Sequence, residues 1–87
     1  MSLSIKVKTV EPLDDMTLLV EFENGVKKNY DVKQLIPQFG IYEDLKYNDL
    51  FKRVHVDCGG YAIFWTDEID ISECELWENG IEVNVNE

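Results

Sequence analysis

The stretch Val54–Ser72 constrains the fold most strongly, because two apolar runs flank Gly59-Gly60, the only pair of adjacent glycines in the chain. Paired glycines between runs rich in β-branched and aromatic residues are typical of a β-hairpin turn. Thr66-Asp67-Glu68 predicts a second tight turn, after which Ile69–Ile71 forms a short third strand. Strands joined by connections this short run antiparallel. The stretch therefore predicts a central hairpin with a third strand, and Trp65 as its core anchor.

Two alternating segments near the N-terminus predict further strands. In Ile5–Val10 the side chains of Ile5, Val7 and Thr9 share one face, which we expect to be buried. Pro12 should end this strand, because proline cannot donate a hydrogen bond to a neighbouring strand. Thr17–Phe22 alternates in the same way and predicts a second strand with Leu18, Val20 and Phe22 facing inward.

Asn24-Gly25 predicts a hairpin after the second strand. A two-residue turn would pair Phe22 with Lys27. A three-residue loop, Glu23–Gly25, would pair Phe22 with Val26 and Leu18 with Tyr30. We favour the three-residue loop, because a shift of one residue moves a whole set of apolar side chains to the other face, and this register keeps them together. It also places Glu21 opposite Lys27.

The middle of the chain predicts short helical turns. Asp31 is positioned to cap Val32–Ile36, which Pro37 ends. Glu43–Tyr47 predicts one further turn, and Asn48 is expected to cap Asp49–Phe51.

Ser72 and Glu75 have the spacing of a capping box, in which each side chain bonds the other residue's backbone N–H. The helix that follows should end near Asn79, with Gly80 as its terminating residue. Together these elements predict an α+β domain with a twisted, mainly antiparallel sheet, short helical turns in the middle and a C-terminal helix packed on the sheet. We expect one domain over residues 1–87, with 1–4 and 81–87 either loose or forming an edge strand.

Charge is distributed unevenly along the chain, whose formal net charge is −10. Residues 1–53 hold all eight basic and nine acidic residues, whereas residues 54–87 hold nine acidic residues and no basic one. This composition argues against direct binding of nucleic acid or of an anionic membrane surface. The acidic half either serves solubility alone or attracts a basic protein partner. The candidate interaction surface consists of Asp57, Asp67, Glu68, Asp70, Glu73 and Glu78.

A catalytic site is the weaker alternative. His55 is the only histidine, and Asp57 lies on the same face of its strand, so that the pair would have the geometry of a base and its orienting carboxylate. A contact between surface side chains explains the same spacing. Trp77 is a second weak candidate, as a binding platform on the C-terminal helix. We expect no enzymatic activity and no cofactor.

The cysteines and the acidic cluster carry no recognisable metal motif. Cys58 and Cys74 lack a zinc spacing, and we expect both to be reduced, buried and inert in a cytoplasmic protein. The carboxylates between Asp67 and Glu75 lack the spacing of a calcium loop. No apolar run is long enough to cross a membrane, and the N-terminus lacks the apolar core of a signal peptide.

The order of these motifs resembles a family of small bacterial proteins catalogued as domain of unknown function 2442. The similarity rests on V-x-P-L-D-D-x-x-L-L-V-x-F-E-N-G, then Y-D-V-x-x-L-I, then L-F-x-x-V-x-V-D-x-G-G-Y-x-I-x-W, D-I-S and L-W. The residues that carry it are Val10, Pro12, Asp15, Leu18, Val20, Phe22, Asn24, Gly25, Tyr30, Asp31, Val32, Leu35, Phe51, Val54, Val56, Gly60, Trp65, Asp70, Ile71 and Leu76.

This resemblance implies a bacterial source, an α+β fold and no established activity, so that it transfers no functional residues. Some family members are fused to a helix-turn-helix domain, which this chain lacks. Others are encoded beside a second small protein, in an arrangement that resembles toxin–antitoxin pairs. Three functions therefore follow: an interaction module that binds a basic protein, an antitoxin-like regulator, or a weak hydrolytic or metal-dependent enzyme. The oligomeric state is open, with a weak homodimer through the tail as one alternative.

Overall fold

The strands form two antiparallel sheets. The computed structural model describes residues 5–83. The first sheet has the strand order β1–β2–β3–β7 and the second β4–β5–β6. The strands are β1 (Val7–Pro12), β2 (Thr17–Phe22), β3 (Lys27–Asp31), β4 (His55–Val56), β5 (Ala62–Thr66), β6 (Ile69–Ser72) and β7 (Ile81–Glu82). One α-helix, α1 (Glu73–Asn79), and three 3₁₀ helices complete the described part of the chain: Val32–Leu35, Gly40–Lys46 and Leu50–Arg53.

The α+β class is confirmed, with helical turns in the middle and α1 packed between β3 and β6. The expectation of a single sheet is wrong. The three 3₁₀ helices separate β3 from β4, so these two strands are not neighbours. The sheets meet instead where the backbone N–H of Val7 donates to the carbonyl of Gly60 at 2.8 Å. The glycine turn of the central hairpin is thus also the junction between the sheets.

The hairpin formed by β2 and β3 confirms the three-residue loop. Leu18 pairs with Tyr30 and Glu21 with Lys27, and the N–H of Phe22 donates to the carbonyl of Val26 at 2.9 Å. Leu18, Phe22 and Tyr30 are fully buried. This register places the apolar side chains of β2 and β3 on one face, as the sequence pattern requires.

A bulge in β1 changes the face predicted for this strand. The register with β2 shifts between Val7 and Thr9. Val7 is buried as expected, but Thr9 is exposed and Val10 packs against the core in its place. An extra residue at a bulge reverses the alternation beyond it, which the sequence pattern did not indicate. The strand also continues to Pro12, two residues beyond the predicted end at Val10, at the outer edge of the sheet.

One of the two helix caps predicted in the middle of the chain is present in the structure. The carboxylate of Asp31 accepts from the N–H of Lys33 at 2.9 Å and caps the first 3₁₀ helix, as predicted. Asn48 does not cap the third. The N-cap position of that helix is Asp49, which has φ +56° and makes no side-chain capping bond.

The second sheet holds the central hairpin. β4 covers only His55–Val56, because the carboxylate of Asp57 already accepts from the N–H groups of Gly59 and Tyr61, both at 3.0 Å, and begins the turn. Trp65 is a core anchor, as predicted. It is 6 % exposed, its ring stacks on Phe51 at 5.9 Å, and its Nε1–H donates to the Phe51 carbonyl.

Only half of the expected capping box forms at α1. The Ser72 hydroxyl accepts from the N–H of Glu75 at 3.2 Å. The Glu75 carboxylate does not return to Ser72, because it accepts a hydrogen bond from the Tyr30 hydroxyl at 2.7 Å. The helix ends at Asn79 as predicted, although Gly80 has φ −79° and not the left-handed conformation. After Gly80, β7 pairs with β3, which confirms an edge strand at 81–82. Residues 1–4 and 84–87 lie outside the described residues.

Both sheets, the helix and the 3₁₀ segments contribute to one buried cluster of apolar side chains. The cluster consists of Val7, Leu18, Val20, Phe22, Tyr30, Val32, Leu35, Leu45, Phe51, Ile63, Trp65, Ile69, Ile71 and Leu76.

In residues 5–83, no helix is long and apolar enough to cross a membrane.

Candidate interaction surface

A groove lies on the outer face of the second sheet. Ile63 and Trp65 point into the core, so alternation along β5 places Ala62, Phe64 and Thr66 on the outside. These three side chains line a depression of about 260 Å³ together with Asp57, Asp67 and Asp70. We call this depression the acidic groove. It brings together three of the six carboxylates that were predicted from the sequence to form an interaction surface.

Strand register places His55 and Asp70 on either side of Phe64, the aromatic residue that lines the acidic groove. Phe64 pairs with His55 on one side and with Asp70 on the other. The rings of His55 and Phe64 are 5.6 Å apart between centroids. Phe64 is half-buried, whereas His55 and Asp70 are exposed. The groove therefore has an aromatic floor next to carboxylates, a combination that suits the flat, positively charged group of arginine.

The β5–β6 turn holds Asp67 at the groove. The Thr66 hydroxyl accepts hydrogen bonds from the N–H groups of Glu68 and Ile69, both at 3.2 Å. Asp67 and Asp70 are exposed, and none of the ion pairs between described residues involves either of them. Their charges are therefore available to an external cation.

The Asp57 carboxylate already accepts hydrogen bonds from the backbone through one of its oxygens. It is half-buried, and its Oδ1 atom is the acceptor for both N–H groups of the glycine turn. Its main effect on the groove is to fix the turn and to add negative charge at one end.

The remaining nominated carboxylates lie outside the groove. Glu68 is exposed at the β5–β6 turn. Glu78 is exposed on α1, with its carboxylate 3.6 Å from the Cys74 sulfur. Glu73 is only 9 % exposed, and its backbone N–H donates to the Tyr61 carbonyl. Glu73 therefore does not belong to an open surface, because the start of α1 is held against the central hairpin.

His55 and Asp57 do not form a base and its orienting carboxylate. His55 is exposed, as predicted, but no ion pair joins it to Asp57 within residues 5–83. The Oδ1 atom of Asp57 accepts from the glycine turn. The imidazole does not line the acidic groove, but its ring lies beside Phe64.

Trp77 is held by the first sheet. Its ring meets Phe22 edge to face at 5.0 Å, and the Lys28 ammonium lies 3.9 Å from the ring centroid. The same ammonium donates to the Trp77 carbonyl. Trp77 is half-buried and does not line the acidic groove. Lys28 therefore already occupies the ring face that a cationic ligand would use.

Both cysteines are exposed, so the expectation of burial is wrong. Leu76 and Glu73 take the inward positions of α1, which leaves Cys74 on the outer side. Repulsion from Glu78, the largest cause, raises the pKa of the Cys74 thiol above its ordinary value. No group of three or more His, Cys, Asp or Glu side chains in the described part of the chain is arranged to hold a metal ion.

Phe64 is the groove residue that the sequence interpretation missed. A signal was present, because Phe64 alternates with Ile63 and Trp65 and must face away from them. An aromatic residue on the outward face of a strand, beside carboxylates, is more informative than the carboxylates alone.

Fold and surface define a small acidic α+β domain with the acidic groove on its second sheet. The chain belongs to the family described as protein of unknown function (DUF2442), whose model matches residues 7–82. No curated protein and no solved structure matches the chain.

Proposed function

We propose that this protein is a non-enzymatic interaction module whose acidic groove binds a basic segment of a partner protein. The observation that carries the proposal is the half-buried Phe64 ring, which lies between exposed His55 and Asp70 and shares the groove with Asp67. An arginine side chain can stack on the Phe64 ring while its N–H groups donate to carboxylates at the rim. Such charge-assisted hydrogen bonds are about twice as strong as neutral ones.

The charge of the whole chain supports the same partner. The net charge is −10, and all eight basic residues precede residue 54. A field of this sign accelerates encounter with a basic protein and repels nucleic acid and anionic membranes. We place this module in the cytoplasm, where its exposed cysteines stay reduced.

An antitoxin-like role is one form of this function. In that case the basic partner is a growth-inhibitory protein encoded by a neighbouring gene, and co-expression of the two relieves the inhibition. A weak homodimer through the edge of the first sheet would leave the groove accessible, because the groove lies on the other sheet.

A peptide titration followed by ¹⁵N–¹H NMR tests the proposal. The probes are tetra-arginine and, as a control of opposite charge, tetra-glutamate. We expect tetra-arginine to shift the amide signals of β5 and β6, and the affinity to fall as salt is added. Tetra-lysine should bind more weakly, because an ammonium does not stack on an aromatic ring as a guanidinium does.

Two double variants separate the groove from general charge attraction. Asp67→Asn/Asp70→Asn removes two charges at the groove, and Asp14→Asn/Glu23→Gln removes two exposed charges elsewhere. We expect only the first variant to weaken tetra-arginine binding, by about tenfold or more, since hydrogen bonds to charged groups contribute about 1.5–3 kcal/mol each. Equal weakening by both variants, or shifts spread over the whole surface, would contradict a groove-specific function.

A further inference from the structure

A second and larger cavity lies between the second and third 3₁₀ helices. Its volume is about 520 Å³, within the range of about 300–1,000 Å³ that is usual for small-molecule sites. It shares no residue with the acidic groove. The residues that line it are Asp44, Tyr47, Asn48, Leu50 and Arg53.

Two opposite charges face this cavity without neutralising each other. Asp44 and Arg53 are exposed, and in the part of the chain that the structure describes no ion pair within 4.0 Å joins them. The nearby Lys46 pairs with Glu43 instead, at 3.5 Å. A carboxylate and a guanidinium at one cavity complement a ligand that carries both an ammonium and a carboxylate.

The apolar part of the wall comes from Tyr47 and Leu50. Leu50 is half-buried, and its packing against the core holds its side chain in place. Tyr47 is 61 % exposed, so its side chain is accessible to a ligand. Together they give an apolar side chain of a ligand a place to bind.

The backbone between these residues adopts the left-handed conformation at two positions. Asn48 and Asp49 are consecutive left-handed residues, with φ +59° and +56°. The N–H of Leu50 donates to the Tyr47 carbonyl at 3.0 Å and closes the reversal. Conformations of this kind occur preferentially at ligand-binding sites, where the surrounding structure holds them. Here the reversal is what brings Tyr47 and Leu50 to one cavity.

We propose that this cavity binds a free α-amino acid with an apolar side chain. The Arg53 guanidinium receives the ligand carboxylate, the Asp44 carboxylate receives the ligand ammonium, and the side chain lies between Tyr47 and Leu50. This binding site would give an interaction module a means of sensing a metabolite. It is independent of whether the acidic groove binds a basic partner.

Titration of the full chain with L-phenylalanine and L-leucine, followed by calorimetry and by ¹⁵N–¹H NMR, tests the proposal. We expect shifts at residues 44–53. N-acetyl-L-phenylalanine lacks the ammonium and L-phenylalaninamide lacks the carboxylate. Each analogue should bind about ten- to a hundredfold more weakly than L-phenylalanine, as expected for loss of a hydrogen bond to a charged group.

Variants at the two charged residues assign each contact. Arg53→Gln should weaken binding of L-phenylalanine but leave the affinity for the amide unchanged. Asp44→Asn should weaken binding of L-phenylalanine but not of the N-acetyl compound. Lys52→Gln and Asp14→Asn make the same charge changes outside the cavity and should have no effect.

The proposal fails if neither amino acid shifts residues 44–53 up to its solubility limit. It also fails if the N-acetyl and amide analogues bind as tightly as L-phenylalanine, or if the control variants weaken binding as much as Arg53→Gln and Asp44→Asn. Circular dichroism of each variant distinguishes loss of the site from loss of the fold.

Discussion

Tyr30 and Glu75 form a hydrogen bond between side chains that ties the first sheet to the helix. Tyr30 is fully buried, and its hydroxyl donates to the Glu75 carboxylate at 2.7 Å. Burial, and then this hydrogen bond, raise the pKa of Tyr30 well above its ordinary value. The phenol therefore stays a neutral donor to the Glu75 carboxylate in neutral solution.

Tyr30→Phe removes only this hydroxyl. We expect a loss of about 1.5–3 kcal/mol in the free energy of unfolding, because the acceptor is charged and partly buried. Tyr61→Phe is the matched control, since Tyr61 is 52 % exposed and should change stability little. Urea denaturation of the three proteins checks the prediction. Equal midpoints for Tyr30→Phe and the parent would show that water replaces the bond without cost.

At the scale of single elements, alanine substitutions of glycines measure the free-energy cost of a left-handed backbone conformation. Gly25 in the β2–β3 loop has φ +91°, whereas Gly40 has an ordinary φ. A Cβ atom added at either position would meet nothing within 4 Å. The two glycines therefore differ in backbone conformation but not in the space around them.

Gly25→Ala should cost about 1–2 kcal/mol, since a left-handed alanine is strained. Gly40→Ala should be neutral or should stabilise by up to about 1 kcal/mol, because alanine restricts the unfolded chain. Gly60→Ala should cost more than Gly25→Ala. Gly60 has φ +78°, and its Cβ would lie 3.0 Å from the Val7 carbonyl at the junction of the sheets. Thermal unfolding of the three variants measures this order, and a Gly40→Ala cost equal to that of Gly25→Ala would contradict it.

The cap of α1 gives a second test at this scale. Ser72→Ala removes the acceptor of the Glu75 N–H and should destabilise the protein by about 0.5–2 kcal/mol. Ser72→Thr keeps a hydroxyl at the same position and should retain most of that stability. If both substitutions cost the same, the hydroxyl would not be the stabilising group, and the end of β6 would be the sensitive feature instead. Urea denaturation distinguishes the two results.

At the scale of the whole molecule, stability should fall in alkaline solution. Burial raises the pKa of Tyr30 and of Tyr42, and the hydrogen bond to Asp15 is the main cause that raises the pKa of Lys33. Above about pH 10, the unfolded tyrosines release protons that the folded protein retains. Unfolding then releases protons, so it becomes more favourable as the pH rises.

The stability contributed by these groups is fully present below about pH 10 and is lost above it, with a slope of about 1.4 kcal/mol per pH unit for one fully shifted tyrosine. Urea midpoints measured between about pH 8 and pH 11 should show this decline. The slope should be shallower for Tyr30→Phe than for Tyr61→Phe. Identical slopes for these two variants would show that Tyr30 does not carry the effect.

Local patterns accounted for most of the individual elements. Four features depend on residues close together in the chain: the alternation in β2, the Asn24-Gly25 loop, the Asp31 cap and the length of α1. The same holds for the charge difference between the halves of the chain. Predictions failed where two distant segments compete for one group, as at Glu75, whose carboxylate bonds Tyr30 and not Ser72.

The sequence by itself determined the α+β class and the acidic character of residues 54–87. It favoured one of two registers for the first hairpin, and strand pairing decided between them. Only the tertiary structure decided that there are two sheets, that Gly60 joins them, and that Glu73 is buried while Cys74 is exposed. It also decided that Asp57, Phe64 and Asp70 share one groove and that Asp44 and Arg53 face one cavity. The reason is physical: pattern and propensity act over neighbouring residues, whereas a surface is made by strand pairing and packing between residues far apart in the chain.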